Sequence, residues 1–89
     1  MLIHGAVIKE QGLTFAVVSV QASQMVNQAV AQKTVATLKP VFPGIPIVLM
    51  TQDPDGKACF MGRSDIATFL STVPVKSIPW KRYEVLFSA

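Results

Sequence analysis

Apolar runs broken by short polar clusters divide this chain into two strand pairs with a helix between them. Leu2 to Ile8 reads as a strand, and Lys9-Glu10-Gln11-Gly12 as a turn in which Gly12 is suited to positive φ. Leu13 to Val20 is rich in β-branched and aromatic residues and reads as a second strand. The short connection makes the two antiparallel neighbours. Further on, Ile47-Val48-Leu49-Met50 and Ala58-Cys59-Phe60-Met61 flank Gln52-Asp53-Pro54-Asp55-Gly56-Lys57. Pro54 presets a turn φ, Asp55 tolerates the bridge region, and Gly56 takes positive φ without steric cost, so the segment predicts a hairpin closed by a type I turn and a glycine bulge.

Two helical periods complete the pattern. With Asn27 as N-cap, Ala31, Val35, Leu38 and Phe42 recur on one face, and Pro40 and Pro43 end the helix. A start near Ala22 is the alternative, with apolar residues on two sides. The Asn27 start is preferred; it leaves Gln21 to Val26 as a partly extended connector whose Met25 and Val26 must be buried elsewhere. Pro43-Gly44-Ile45-Pro46 leads rigidly into the third strand. After Gly62, Arg63-Ser64-Asp65 opens a second helix with Ser64 as cap and Asp65 complementing the helix dipole. Its apolar face is Ile66, Phe69, Leu70 and Val73, and Pro74 stops it. The tail, Val75 to Ala89, holds Trp80, Tyr83, Leu86 and Phe87 and reads as a short strand or a docked extension.

The order is β-β-α-β-β-α plus a tail within one domain, 1–89. The expected fold class is α+β: a two-layer sandwich on a four-stranded, largely antiparallel sheet. The preferred hand of the second-strand–helix–third-strand crossover places both helices on one face. Such a sheet would show apolar and polar residues in alternation. Here Leu13, Phe15 and Val17 oppose Ala16, Val18 and Val20, and Ile47 and Leu49 oppose Val48 and Met50, so both faces are apolar. Something must cover the face without helices. Either the tail (residues 75–89) packs on it, or a second copy of the chain does. The second copy is the preferred reading, with Met25, Val26, Trp80, Arg82 and Tyr83 as the interface residues.

Composition narrows the function classes. The chain has 89 residues, with 51% hydrophobic and 15% charged, which permits one modest core. No apolar run is long enough for a membrane helix. The first residues, Met1-Leu2-Ile3-His4-Gly5, lack a basic leader segment and a small-residue cleavage site, so no signal peptide is expected. A single cysteine, Cys59, excludes an internal disulfide and fits a reducing cytoplasm. The expected setting is cytoplasmic, with no membrane partner. A net charge of +3 is a small excess and favours solubility over nucleic-acid binding.

The groups able to do chemistry are few and scattered, and the sequence names no reaction. His4 is the only histidine; with one cysteine as well, a Cys/His zinc site within the chain is excluded. Cys59 lies among apolar strand residues and reads as an inert thiol, with Lys57 alone nearby. Asp53 and Asp55 belong to the turn and lack the remaining ligands of a calcium loop. Arg63 beside a helix start is a weak anion site. Pro79-Trp80-Lys81-Arg82-Tyr83 interleaves aromatics with cations, with Lys76 nearby, and reads first as packing or oligomer contact, then as a surface for stacked bases and phosphates.

No cofactor is implied. The leading expectation is a non-catalytic binding or interaction module, a homodimer. The alternatives are a small-molecule site or an enzyme at the subunit interface, with His4, Cys59 and Arg63 the ligand-binding candidates, and nucleic-acid binding through Lys76, Lys81 and Arg82.

Two resemblances accompany this reading. From Gly44-Ile45-Pro46-Ile47 to Val73 the chain resembles the C-terminal half of the thioredoxin fold. Pro46 matches the proline, often cis, that precedes a strand, a tight turn, a second strand and a final helix. The redox Cys-x-x-Cys is absent, so this resemblance implies at most a non-catalytic relative. The whole chain also resembles short uncharacterised bacterial proteins, including those carried on mobile (integron-type) gene cassettes. Pro43-Gly44-Ile45-Pro46, Gly62-Arg63-x-Asp65-Ile66 and Ile78-Pro79-Trp80 carry that likeness, which implies no activity.

Overall fold

The computed structural model describes residues 2–10 and 12–84. Five strands form one sheet: β1 (Leu2–Glu10), β2 (Leu13–Ser19), β3 (Ile47–Gln52), β4 (Ala58–Met61) and β5 (Lys81–Glu84), in the spatial order β4-β3-β2-β1-β5. Only β2 and β3 run parallel; Ala16 pairs with Ile47 and Val18 with Leu49. The other three pairings are antiparallel. Helix α1 (Gln28–Leu38) makes the crossover between the parallel strands, and α2 (Ser64–Ser71) follows β4.

The local reading of the chain holds at several joints. Asn27 caps α1, its side chain accepting a hydrogen bond from the Val30 N–H at 2.9 Å. Gly12 and Gly56 carry the positive φ their turns require, +78° and +85°. Asp53 organises the hairpin turn: its Oδ1 accepts from the N–H of Asp55 at 3.0 Å and of Lys57 at 2.8 Å. Its carbonyl also accepts from Gly56 N–H at 2.9 Å. Ser64 is the first residue of α2 rather than its cap; Arg63 occupies the cap position, without a capping side-chain bond.

The sheet has five strands rather than four, because Lys81–Glu84 pairs with the outer edge of β1, Ile3 opposite Tyr83. The helices lie on opposite faces, so the sandwich has three layers. On the first face, Ala31, Leu38 and Phe42 pack with Ala16, Val18, Ile47 and Leu49. On the second, Ile66 and Leu70 pack with Phe15, Val17, Val48 and Met50. The crossover dictates where α1 lies, but α2 leaves from an edge strand after a hairpin, and nothing in the crossover governs its side. Gly62 provides the passage. A Cβ there would stand 2.9 Å from Val48 Cγ2 and 3.2 Å from Val48 Cα, so only glycine lets the chain turn this closely beneath β3.

The tail divides. Val75–Ser77 forms a 3₁₀ turn. Ile78 is buried in the second-face core, with Val75 and Trp80 packed beside it. Leu86 and Phe87 lie outside the described residues. The expected uncovered face is therefore occupied by α2 and residues 75–80 of the same chain. The apolar strand faces no longer call for a second copy. Of the two connector residues, Met25 is buried in the first-face core, as required, whereas Val26 is 69% exposed. Residues Ala22–Met25 form a 3₁₀ turn rather than an extended connector, with Met25 turned inward and Val26, the residue after it, left outside.

Candidate functional site

The chain direction at the end of β2 creates a groove. After Ser19 the chain leaves the sheet through Val20 and Gln21, makes the 3₁₀ turn, and enters α1 at Asn27. The turn is anchored to the helix by Thr34, whose hydroxyl donates to the Gln24 carbonyl at 2.8 Å and lies 3.0 Å from the Val30 carbonyl. The Gln24 side chain returns to the chain, its Oε1 accepting from Gln21 N–H at 3.0 Å. Between this braced corner, α1 and the first residues of β1 lies a groove of about 590 Å³. Ile3, Val20, Val30 and Leu38 form its apolar lining, and His4, Ser19, Gln21, Gln24, Lys33, Thr34 and Thr37 the polar part. It sits beyond the carboxyl end of β2, the end of parallel strands where α/β sheets commonly receive ligands.

The charge of the lining has one sign. Lys33 is its only formally charged side chain, and no carboxylate lines the groove. The hydroxyl of Thr37 donates to the Lys33 carbonyl at 3.0 Å, so the protons of both threonine hydroxyls serve the helix backbone. Lys33, the glutamine amides, the Ser19 hydroxyl and the His4 ring remain as side-chain donors toward a ligand.

A second groove, about 320 Å³, lies at the opposite end of the sheet, lined by Leu13, Phe15, Ile66 and Phe69 with Glu10, Arg63 and Asp65 at its rim. Arg63 and Asp65 pair in a fork, Nε to Oδ1 at 3.0 Å and Nη2 to Oδ2 at 2.7 Å. The hydrogen bond from Arg63 and its charge hold the Asp65 carboxyl below the ordinary carboxylate range, and the same contact raises the Arg63 pKa. This is the only ion pair among the described residues. It occupies the guanidinium that the sequence offered as an anion site.

The three ligand-binding candidates are not brought together. His4 lines the first groove, Arg63 the second, and Cys59 is exposed on β4 and lines neither. Nothing in the sequence marks Lys33, Thr34 and Thr37 as lining residues. They differ from other polar helix positions only by facing β1 and the β2 end, which periodicity alone does not reveal.

The aromatic residues of the tail are engaged in packing. The Trp80 indole N–H donates to the Val75 carbonyl at 3.1 Å, and Tyr83 meets Phe42 edge to face. Arg82 and Lys81 are exposed on β5. Being neighbours on a strand, they point to opposite faces and do not form one basic patch. Among the described residues no group of three or more His, Cys, Asp or Glu could hold a metal ion, and no helix is long and apolar enough to cross a membrane. No protein-family model matches this chain, and no similar curated protein or solved structure was found.

Proposed function

We propose that the protein is a small, non-catalytic binding module. It seats an amphipathic organic anion, a carboxylate or similar acid on an apolar body, in the groove between α1 and the β1–β2 end. The observation that carries this reading is the lining itself: an apolar wall of Ile3, Val20, Val30 and Leu38 facing one cation, Lys33, with no carboxylate. An apolar wall rewards the body of the ligand, and an unopposed cation selects the sign of its head. Braced polar groups around it lower the ordering cost of binding. Ser19 and His4 stand opposite each other across β1 and β2, but the lining holds no carboxylate to orient the imidazole as a third group would in covalent catalysis. Binding without turnover is the function these residues support.

The test is a two-dimensional NMR titration with a panel of medium-chain fatty acids and aryl carboxylates, set against amines and alcohols of the same size. The acids are expected to move the amide signals of Ile3, Val20, Lys33 and Thr37, and Lys33→Glu is expected to abolish the effect while leaving the spectrum folded. Amines binding as well as acids, or acid-induced shifts confined to residues away from the groove, would refute the assignment.

A further inference from the structure

The two threonines of the α1 groove differ in what they leave free. Thr34 is part-buried in the braced corner, its one proton set between the Gln24 carbonyl at 2.8 Å and the Val30 carbonyl at 3.0 Å. Thr37 is exposed, and its hydroxyl has one partner among the described residues, the Lys33 carbonyl one turn back at 3.0 Å. With its proton spent on the helix, the Thr37 oxygen can only accept a further hydrogen bond. Residues four apart on a helix are surface neighbours. This acceptor therefore stands beside Lys33, and both line the groove. At the corner the polarity is reversed. Gln24 Oε1 accepts from the Gln21 N–H at 3.0 Å, which leaves the amide nitrogen of Gln24 as the free end, a donor. The groove thus offers a cation, an acceptor beside it and a separate donor, against an apolar wall.

We infer that the ligand of this groove is an N-acylated amino acid. Its carboxylate meets Lys33, its amide N–H the Thr37 oxygen, its amide carbonyl the Gln24 amide nitrogen, and its apolar body Ile3, Val20 and Leu38. This rests on the groove binding an amphipathic acid, and adds which kind of acid. Thr37 is then the residue that determines specificity.

The deciding effect is the cost of covering Thr37. A plain fatty acid seated at Lys33 screens the Thr37 oxygen from water and gives it no donor. An acceptor buried without a partner costs more than a hydrogen bond, once made, returns. In an N-acylated amino acid the carbon next to the carboxylate carries the amide nitrogen, so the anionic head and the donor arrive together. A free amino acid also has donors at that position, but they belong to an ammonium, which would lie beside Lys33 as a like charge in a partly apolar site. Acylation removes that charge and keeps one N–H. A groove of about 590 Å³ is in the usual range for ligands of this size.

The experiment is a two-dimensional NMR titration of the whole chain with four probes: N-hexanoyl-leucine, the O-hexanoyl ester of leucic acid, decanoate and free leucine. The ester has the shape of the first probe, with an oxygen in place of the N–H. The acylated amino acid is expected to bind about tenfold more tightly than the ester, the scale of one hydrogen bond made and one acceptor no longer left dry. Free leucine is expected to move no signal of the groove. An amide carbonyl is also a stronger acceptor than an ester carbonyl, so a variant isolates the N–H. Thr37→Val keeps the side-chain shape at an exposed position and should bring the two acylated probes to equal affinity. Thr37→Ser keeps the hydroxyl and should keep the preference. Equal binding of the two acylated probes to the wild-type chain overturns this inference and leaves the preference of the groove for acids standing. A preference that survives Thr37→Val, or free leucine binding as tightly as its acylated form, overturns it as well. Groove signals that respond to neither decanoate nor the acylated probes overturn the groove reading itself, and this inference with it.

Discussion

Phe42 and Tyr83 meet edge to face, ring centroids 5.0 Å apart and planes at 70°, directly over the backbone of Gly5. A Cβ at Gly5 would stand 3.1 Å from Phe42 Cζ, 3.3 Å from the Val17 carbonyl oxygen and 3.6 Å from Tyr83 Cε2. The first residue pins the segment after α1, the second belongs to the edge strand β5, and the glycine between them lets both reach the sheet.

Gly5→Val should therefore destabilise the fold by about 1–3 kcal/mol, the usual cost of forcing extra methyl groups into a packed site. Urea denaturation measures it. Adding Phe42→Leu, which vacates the ring's space, should recover part of the loss. Additive costs in the double variant would show that the ring is not what the new side chain meets.

Trp80→Ala should cost about 2–3 kcal/mol, somewhat less than a fully buried tryptophan, because the indole is only partly enclosed on the second face. It also removes the indole hydrogen bond to the Val75 carbonyl. The loss should be the same at low and high protein concentration, since the ring packs within its own chain. A loss that grows with protein concentration would place Trp80 in an interface instead.

The Asp65 carboxyl should titrate below the ordinary aspartate value of about 3.9, since the hydrogen bond and charge of Arg63 favour its ionised form. Because its folded pKa is lowered, the contribution to stability is present above the unfolded value and fades as pH falls through the folded one. Both groups are exposed and screened, so the effect on unfolding is small and the direct measurement is carboxyl carbon NMR. Arg63→Ala should return the midpoint to the ordinary range, and raised salt should narrow the difference. A midpoint that stays low in Arg63→Ala would assign the shift to the start of α2 rather than to the ion pair.

The sequence by itself determined most of the local structure. Asn27, Gly12, Gly56 and the Asp53 turn act through atoms within a few residues of themselves, so their chemistry is readable in order along the chain. It also determined that both faces of β2 and β3 are apolar. What only the tertiary structure decided is what covers those faces. A continuous apolar strand has the same composition whether its second face meets a helix of the same chain or a second molecule, and here α2 and Ile78 provide the cover. The side taken by α2, the pairing of Lys81–Glu84 with β1, and the meeting of His4, Lys33 and Thr37 around one groove depend on contacts between residues far apart in the chain. No periodicity encodes such contacts, because they are settled by which surfaces fit when all the elements pack together.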